Sequence, residues 1–173
     1  MPLPPIHTER LVLRPLEATD ADRYHTIWGD PEVIWWGHSD SRAASTVAVA
    51  ALTGRCERMP AGLGWSWLLK ADTGELVGDV CLQPAPDPPG GIEIGWHLAK
   101  ENWGRGYATE GTRPLLTHAW SLGIGEIVAT IVPMNKPSVA VAERLGMIRR
   151  PGITSRGGLA HGVWAVSRPD AGY

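Results

Sequence analysis

The sequence has 173 residues, of which 43% are hydrophobic and 20% are charged, and its formal net charge is −2. This composition excludes an intrinsically disordered chain, and the charge argues against a dedicated nucleic-acid-binding or polybasic membrane surface. The length fits one domain, which we predict to span residues 1–173.

Cysteine usage and hydropathy bear on the compartment. Cys56 and Cys81 are isolated, with no CxxC pair and no His or Cys nearby at the spacing of metal ligands. No apolar run approaches the roughly 18 residues that a membrane-spanning helix needs, and the start of the chain lacks the basic and apolar regions of a secretory signal. We therefore expect reduced thiols, no bound metal and a cytoplasmic protein.

The chain opens with a strand signal followed by helix signals. Residues 9–15 predict a strand, which a proline ends. Thr19, with Asp22 three residues on, resembles a capping box and predicts a helix that ends near Gly29. Residues 41–57 are rich in Ala and Val and predict a second helix.

Strand signals then dominate the middle of the chain. Trp65 and Trp67 alternate with other residues in the manner of a strand, and a turn leads from there into a second strand at 75–83. Residues 84–91 (PAPDPPGG) predict the loop that leads on to the next strand.

The second half has a regular pattern of elements. They are a strand at 92–98, a helix at 106–122, a strand at 126–132, a short helix at 138–145, and closing strands at 147–153 and 161–167. A strand, a helix of about four turns and a strand form a βαβ unit, so the first two strands should be parallel. Since the other connections are short, the fold class is α/β (mixed α+β), with a central mixed, mostly antiparallel sheet and flanking helices.

The segment 95–110 (GWHLAKENWGRGYATE) carries the strongest functional signal. A strand runs into a turn in which Gly104 and Gly106 allow positive φ or close approach of a ligand, and the turn opens a helix. The free N–H groups of the first helical turn and the helix dipole favour an anion, and Arg105 adds a positive charge. This arrangement predicts a phosphate or pyrophosphate site.

Two familiar nucleotide motifs do not fit this turn. The dinucleotide fingerprint needs a third glycine, where this chain has Thr109. A Walker loop needs Gly-Lys-Ser/Thr, which is absent from the sequence.

The turn resembles the coenzyme A-binding motif of the GNAT N-acetyltransferases, Arg/Gln-x-x-Gly-x-Gly/Ala. Gly106 and Ala108 fill its last two positions, and Trp103 stands where Arg or Gln is commonest. In having Trp at this position, the sequence resembles the branch of ribosomal-protein N-terminal (alanine/serine) acetyltransferases.

Two further segments strengthen the resemblance to this branch. Residues 8–16 (TERLVLRPL) match its common opening, TERLxLRPL. Asn135 and Ser138, followed by residues 143–147 (ERLGM), are similar to the family's Asn-x-x-Ser…Glu-Lys-Leu-Gly-Phe segment. The matches follow the family's order and extend over residues 8–147.

The resemblance implies a GNAT-like fold whose two parallel strands splay apart to admit the acetyl-pantetheine arm. It also implies that acetyl-CoA is the co-substrate and that the acetyl group passes directly to an amine. The residues agree with this, because no Ser or Cys lies in a recognisable nucleophile setting. The implied donor-site residues are Trp96, His97, Leu98, Trp103, Gly104, Arg105, Gly106, Tyr107, Ala108, Thr109, Asn135, Ser138 and Arg144.

The strand at 92–98 also offers candidates for the general base. Alternation places Glu93, Gly95 and His97 on one face, with the glycine leaving room for a ligand. Glu93 is our predicted catalytic base, and a structural role is its alternative. His97 and Asp79, on the preceding strand, are weaker candidates.

Ser138 has two interpretations, which are not exclusive. Its residue type favours the N-cap of the following helix, and the resemblance implies a catalytic serine that donates a proton to the departing thiolate. The position at which many GNAT enzymes keep an acid Tyr is Ala142 here. Arg144 likewise suits either the nucleotide end of coenzyme A or the C-terminus of its own helix.

The sequence leaves the acceptor open. Trp28, Trp35, Trp36 and Trp65 form either an aromatic acceptor wall or core. We expect a small-molecule or peptide amine acceptor, no nucleic-acid or membrane partner, and a monomer or homodimer. The alternative to an N-acetyltransferase is a non-catalytic acyl-CoA-binding sensor module, which binds the same ligand without turnover.

Overall fold

A computed structural model describes residues 5–15, 17–35, 58–85, 90–156 and 158–169. The predicted helix at 41–57, Cys56 and Trp36 lie outside the described residues, as does part of the predicted loop at 84–91. The strands are β1 (Ile6–His7), β2 (Leu11–Pro15), β3 (Gly64–Lys70), β4 (Leu76–Pro84), β5 (Ile92–Leu98), β6 (Glu126–Ile131), β7 (Ile148–Arg156) and β8 (Leu159–Ser167). The α-helices are α1 (Ala21–Trp28), α2 (Pro31–Ile34), α3 (Tyr107–Ser121) and α4 (Lys136–Arg144), and short 3-10 turns occupy Ala18–Asp20 and Lys100–Asn102.

The described strands form one eight-stranded sheet in the order β1-β2-β3-β4-β5-β6-β8-β7. Strands β5 and β6 are parallel, and each other neighbouring pair is antiparallel. The predicted mixed sheet and the parallel βαβ pair are therefore confirmed. Among the described residues, no helix combines the length and apolar character needed to cross a membrane.

The parallel pair holds together only at its start. Strand β5 pairs with β4 along its whole length, but with β6 only through Ile92–Ile127 and Glu93–Val128. Beyond Glu93 the two strands diverge, which agrees with the predicted splay. The diverging strands leave one edge of β5 without a strand partner in the described part of the chain.

The helices cover both faces of the sheet because neighbouring strand residues point to opposite sides. Leu68 lies in a core with Leu115 and Leu116 of α3, whereas the adjacent Trp67 packs in a second core with Ile27 of α1 and Val33 of α2. Helix α3 approaches the sheet closely, since a Cβ at Gly111 would stand 2.6 Å from a methyl carbon of Leu68. Gly111, directly after the segment 95–110, thus serves helix–sheet packing.

The predicted start of the short helix at Ser138 is wrong. Helix α4 begins at Lys136 rather than at Ser138, because Asn135 is its N-cap and accepts a hydrogen bond from the Ser138 backbone N–H at 3.3 Å. Pro137 occupies the first turn of α4, where its missing N–H costs no helical hydrogen bond. Ser138 is therefore a helical residue and does not cap α4.

Candidate active site

A cavity of about 1170 Å³ lies where β5 and β6 separate, between the ends of these strands and the N-terminal turns of α3 and α4. A chamber of this size exceeds the range typical of small-ligand pockets and suits a large ligand together with a second substrate. It is lined by Thr8, Glu32, Val33, Trp35, Trp96, His97, Leu98, Trp103, Gly104, Arg105, Gly106, Ala108, Thr109, Glu110, Arg113, Pro114, Met134, Asn135, Pro137, Ser138, Ala140, Val141 and Arg144.

The Gly104–Gly106 turn forms one end of the cavity. Gly104 has φ = +73° and Gly106 has φ = +81°, and Gly106 is the left-handed N-cap of α3, with no side chain capping the helix. A Cβ at either position would meet no atom closer than 3.6 Å, so the glycines are required for backbone conformation rather than for space in this turn. The first-turn N–H groups of α3 have no partner within the helix and are suited to bind an anion.

Polar groups beside this turn complete the anion site. The Thr109 hydroxyl is buried at the cavity wall and has no hydrogen-bond partner among the described residues. Arg105, Arg113 and Arg144 also line the cavity, and Arg113 donates a hydrogen bond to the Arg144 carbonyl oxygen at 3.0 Å. An unpaired hydroxyl, free N–H groups and guanidinium groups fit the pyrophosphate and nucleotide phosphate of coenzyme A.

The opening TERL segment supports the turn from behind. Glu110, in the first turns of α3, accepts hydrogen bonds from the Thr8 hydroxyl at 2.7 Å, the Arg10 backbone N–H at 2.8 Å and Arg10 Nε at 2.7 Å. Arg10 also donates to the Arg105 carbonyl oxygen at 3.2 Å and lies over the Tyr107 ring at 4.7 Å. The Tyr107 ring thus lies against Arg10, and Tyr107 is absent from the cavity lining, unlike the other predicted donor-site residues.

The electrostatics of this support favour an ionised Glu110. Burial acts to raise the pKa of the Glu110 carboxyl, but hydrogen bonds from Thr8 and Arg10 and the charge of Arg10 outweigh it, so the pKa lies below its ordinary value. The same contact raises the pKa of Arg10. The carboxylate at the cavity wall is thereby neutralised by a fixed cation, which limits its repulsion of a bound phosphate.

The N-terminus of α4 also lines the cavity. Asn135 and Ser138 both line the cavity, next to Met134, whose side chain is exposed. Ala142, where the family resemblance would place a tyrosine, is fully buried in the main core. Ser138 is therefore the residue of α4 that brings a hydroxyl group to the cavity.

Glu93, the predicted base, lies away from the cavity lining. Its side chain is buried, with one carboxylate oxygen accepting from Gln83 Nε2 at 3.0 Å and the other from the Thr130 hydroxyl at 2.5 Å. Gln83 and Thr130 belong to the two strands that flank β5. This geometry agrees with the structural alternative, in which the carboxylate joins three strands.

His97 shares the strand face of Glu93 but does line the cavity. Its Nδ1 lies 2.8 Å from Asp79 Oδ1, and Asp79 Oδ2 accepts a hydrogen bond from Trp28 Nε1 at 2.9 Å. The Trp28 and His97 rings are 4.4 Å apart between centroids and tilted by 54°. We call Trp28, Asp79 and His97 the imidazole triad. The pairing of β4 with β5 places Asp79 opposite His97, and Trp28 reaches Asp79 from α1.

The tryptophans considered for an acceptor wall lie in different surroundings. Trp35 lines the cavity with its side chain 45% exposed, alongside Val33 and Glu32 of α2. Trp28 stands behind His97, and the side chain of Trp65 lies outside the described part of the structure. Within the described ranges, no three His, Cys, Asp or Glu side chains are grouped so as to hold a metal ion.

Comparisons with known proteins show which domain family the chain matches. Residues 10–148 match the model of the acetyltransferase (GNAT) domain. The N-acetyltransferase p20 of Bacillus licheniformis is 29% identical over 149 residues, which cover 81% of this chain and 80% of that protein.

Solved structures resemble the whole fold. An acetyltransferase from Agrobacterium tumefaciens str. C58 superposes with a TM-score of 0.80 at 29% identity, covering 97% of this chain and 96% of its own. RimL, a ribosomal L7/L12 alpha-N-protein acetyltransferase solved in complex with coenzyme A, has a TM-score of 0.74 at 18% identity and covers 95% of this chain and 98% of its own. At that identity the likeness to RimL shows the fold alone.

Proposed function

This chain belongs to the acetyltransferase (GNAT) family and is an acetyl-CoA-dependent N-acetyltransferase, and we propose that it acetylates a primary amine that enters beside Trp35. The acceptor is a protein N-terminus or a small-molecule amine. The donor lies in the cleft between β5 and β6, with its phosphates at the Gly104–Gly106 turn.

The observation that carries this proposal is the separation of β5 from β6 directly beside that turn. Beyond Glu93, one edge of β5 offers backbone N–H and C=O groups with no strand partner among the described residues. The pantetheine arm contains amide groups, and it can pair with such an edge as an added strand would. The same edge supplies N–H donors for the thioester oxygen as negative charge develops on it.

Each remaining donor-site residue has a role in this arrangement. Thr109 and the N–H groups of the α3 N-terminus hold the pyrophosphate, and Arg144 lies on the side of the nucleotide end. Trp103 donates its indole N–H to the Leu98 carbonyl oxygen at 2.9 Å and so fixes the end of β5 against the turn. Asn135 fixes the start of α4, which carries Ser138 to the cavity.

The transfer itself is direct. The unprotonated amine nitrogen attacks the thioester carbon, the C–S bond breaks, and the departing sulfur takes a proton through the Ser138 hydroxyl. No covalent acetyl-enzyme is needed, and holding the two substrates in an attack geometry is worth several kcal/mol, up to about 7–11 in favourable cases.

The acceptor side suits an amine attached to an apolar or cationic group. Trp35, Trp103 and Met134 are exposed apolar residues that all line the cavity. These aromatic side chains stabilise an acceptor in one of two ways. They bury a hydrophobic group of the acceptor, or they stack on a cationic group other than the reacting amine. Glu32 adds a carboxylate at the same wall, although it is paired with Lys100 at 2.8 Å.

We also propose a cytoplasmic location and a monomeric or homodimeric state. The two isolated cysteines of the sequence, Cys56 and Cys81, are the pattern expected of reduced thiols in a reducing compartment. Mass measurement of the purified chain in solution tests the oligomeric state.

The test combines donor binding with turnover. Acetyl-CoA and CoA should raise the melting temperature by mass action, and thiol release should appear with one class in a panel of N-terminal peptides, polyamines and other small amines. Thiol release with an amine and none without it supports the transferase. A melting shift with no thiol release for the whole panel would favour the non-catalytic sensor instead, and no shift at millimolar acetyl-CoA would contradict donor binding.

A further inference from the structure

The imidazole triad occupies the sheet face on which the sequence analysis sought a general base. Strand register places Asp79 directly opposite His97, and Trp28 reaches the same carboxylate from α1. Asp79 is 1% exposed, so its charge is removed from bulk water and is satisfied by these two contacts. A buried carboxylate with both oxygens engaged holds its partners in fixed orientations.

We propose that His97 is the general base of the acetyl transfer and that Asp79, held by Trp28, is its positioning residue. This inference rests on the proposed function, since it names the group that takes the proton of the acceptor amine. An ionised Asp79 can only accept a hydrogen bond, so its contact with His97 Nδ1 places the proton of the neutral ring on Nδ1. The basic lone pair is then on Nε2.

Placement favours His97 over Glu93 for this role. His97 lines the cavity between Trp96 and Leu98, whose strand edge is assigned to the donor, and its side chain is 12% exposed. Glu93 is absent from the lining, and its two oxygens accept from Gln83 and Thr130. A base must lie within hydrogen-bond distance of the proton it removes, or one water away.

The proton balance closes without a further reactant. The acceptor enters as an ammonium ion, and His97 Nε2 removes one proton to give the nucleophilic amine, with Asp79 stabilising the imidazolium. The nitrogen attacks the thioester carbon, and the C–S bond breaks. A second N–H proton is lost to the departing sulfur through Ser138, and the imidazolium returns its proton to solvent. The products are the N-acetyl amine, CoA with a free thiol and one proton.

The charged and titratable groups around His97 bear on any test. Asp79 and Cys81 lie on β4, the latter opposite Gly95, and Glu93 lies on β5 on the same face. Glu32 approaches the cavity from α2. Asp79 Oδ1 is in direct contact with the imidazole, 2.8 Å from Nδ1.

The experiment compares His97→Ala with a matched histidine, His7→Ala, which is exposed on β1. His97→Ala should lower kcat by about 10²–10⁴-fold, should keep the melting shift produced by CoA, and should recover activity when imidazole is added. His7→Ala should keep wild-type kcat. Turnover by the wild-type enzyme tests the proposed function, and the ratio of variant to wild type tests the base.

Asp79→Asn and Trp28→Phe test the positioning role. Asp79→Asn should lower kcat with little change in KM for acetyl-CoA, without rescue by imidazole. Nitrogen-15 NMR should show the Nδ1-protonated tautomer of His97 in the wild type and its loss in this variant, a readout that does not depend on activity. Trp28→Phe keeps the ring and removes the N–H, and its effect should be in the same direction but smaller.

Two results would overturn the inference. One is a His97→Ala enzyme that keeps kcat within about tenfold of wild type, a loss below the usual range for a general base. The other is a defect that imidazole leaves unrestored, together with an equal or larger loss of kcat in Glu93→Gln, which would assign the base to Glu93.

Discussion

The Gly104–Gly106 turn and the imidazole triad meet at one cavity but are built differently. The turn is contiguous in the chain, and its function depends on backbone: positive φ values and free N–H groups at the start of α3. The triad gathers single side chains from α1, β4 and β5, and its function depends on their hydrogen bonds. Donor binding should therefore fail when the backbone is strained, and chemistry should fail when a side-chain contact is removed while the backbone stays intact.

The largest expected effect comes from straining the turn. Gly106→Val places a β-branched side chain at φ = +81°, so we expect loss of the melting shift produced by CoA. Gly123→Val is the matched control, since Gly123 has φ = +82° just after α3 and lies outside the cavity lining. Both variants should lose about 1–3 kcal/mol of stability from backbone strain. Thermal shift with and without CoA separates them, and normal binding by Gly106→Val would mean that the phosphate site lies elsewhere.

A smaller, side-chain effect is expected at Ser138. Because Asn135 caps α4, Ser138→Ala should change the stability by no more than about 0.5 kcal/mol, while kcat falls by about 10²-fold through loss of the proton path to sulfur.

Two variants serve as controls for Ser138. Ser138→Asp should gain about 0.3–1 kcal/mol from the helix dipole and yet stay slow, since a carboxylate repels the developing thiolate. Asn135→Ala should lose about 0.5–2 kcal/mol with the cap. Denaturant unfolding and steady-state kinetics measure both quantities, and a stable, fully active Ser138→Asp enzyme would remove Ser138 from the chemistry.

The smallest expected effect is on stability. It concerns the contacts of Glu110 with Thr8 and Arg10 beside the turn, and how their contribution depends on pH. The folded pKa of Glu110 lies below its unfolded value of about 4.3, so the unfolded state takes up a proton that the folded state does not. Its stabilising contribution is therefore complete above the unfolded pKa and is lost as the pH falls through the folded pKa.

Glu110→Gln should cost about 1–2 kcal/mol at neutral pH, a figure reduced by the half-exposed position of Arg10. The gap between wild type and Glu110→Gln should close on acidification below about pH 4. Glu143→Gln, exposed on α4, is the control and should match the wild type throughout. Urea unfolding from acid to neutral pH measures the gap, and a gap that widens on acidification would contradict the ionised Glu110.

Local signals in the sequence were sufficient to predict several of the elements. Strand β5 was predicted at 92–98 and is found at those residues, and α3 begins one residue after the predicted start, because the glycine turn and strand alternation act over a few neighbouring residues. The parallel relation of β5 and β6 also followed from the chain, since the helix between them permits a crossover.

The tertiary structure alone decided which side chains meet. Strand alternation placed Glu93 and His97 on one face. Their partners depend on how β5 pairs with its neighbours: Glu93 accepts hydrogen bonds from Gln83 and Thr130, and His97 contacts Asp79. The hydrogen bonds from Thr8 and Arg10 to Glu110 join positions about one hundred residues apart, so no pattern of neighbouring residues predicts them. At α4, Asn135 and Ser138 are residue types with similar preference for the N-cap, so residue type alone does not say which of them caps the helix. The backbone enters the helix directly after Asn135, and this makes Asn135 the cap.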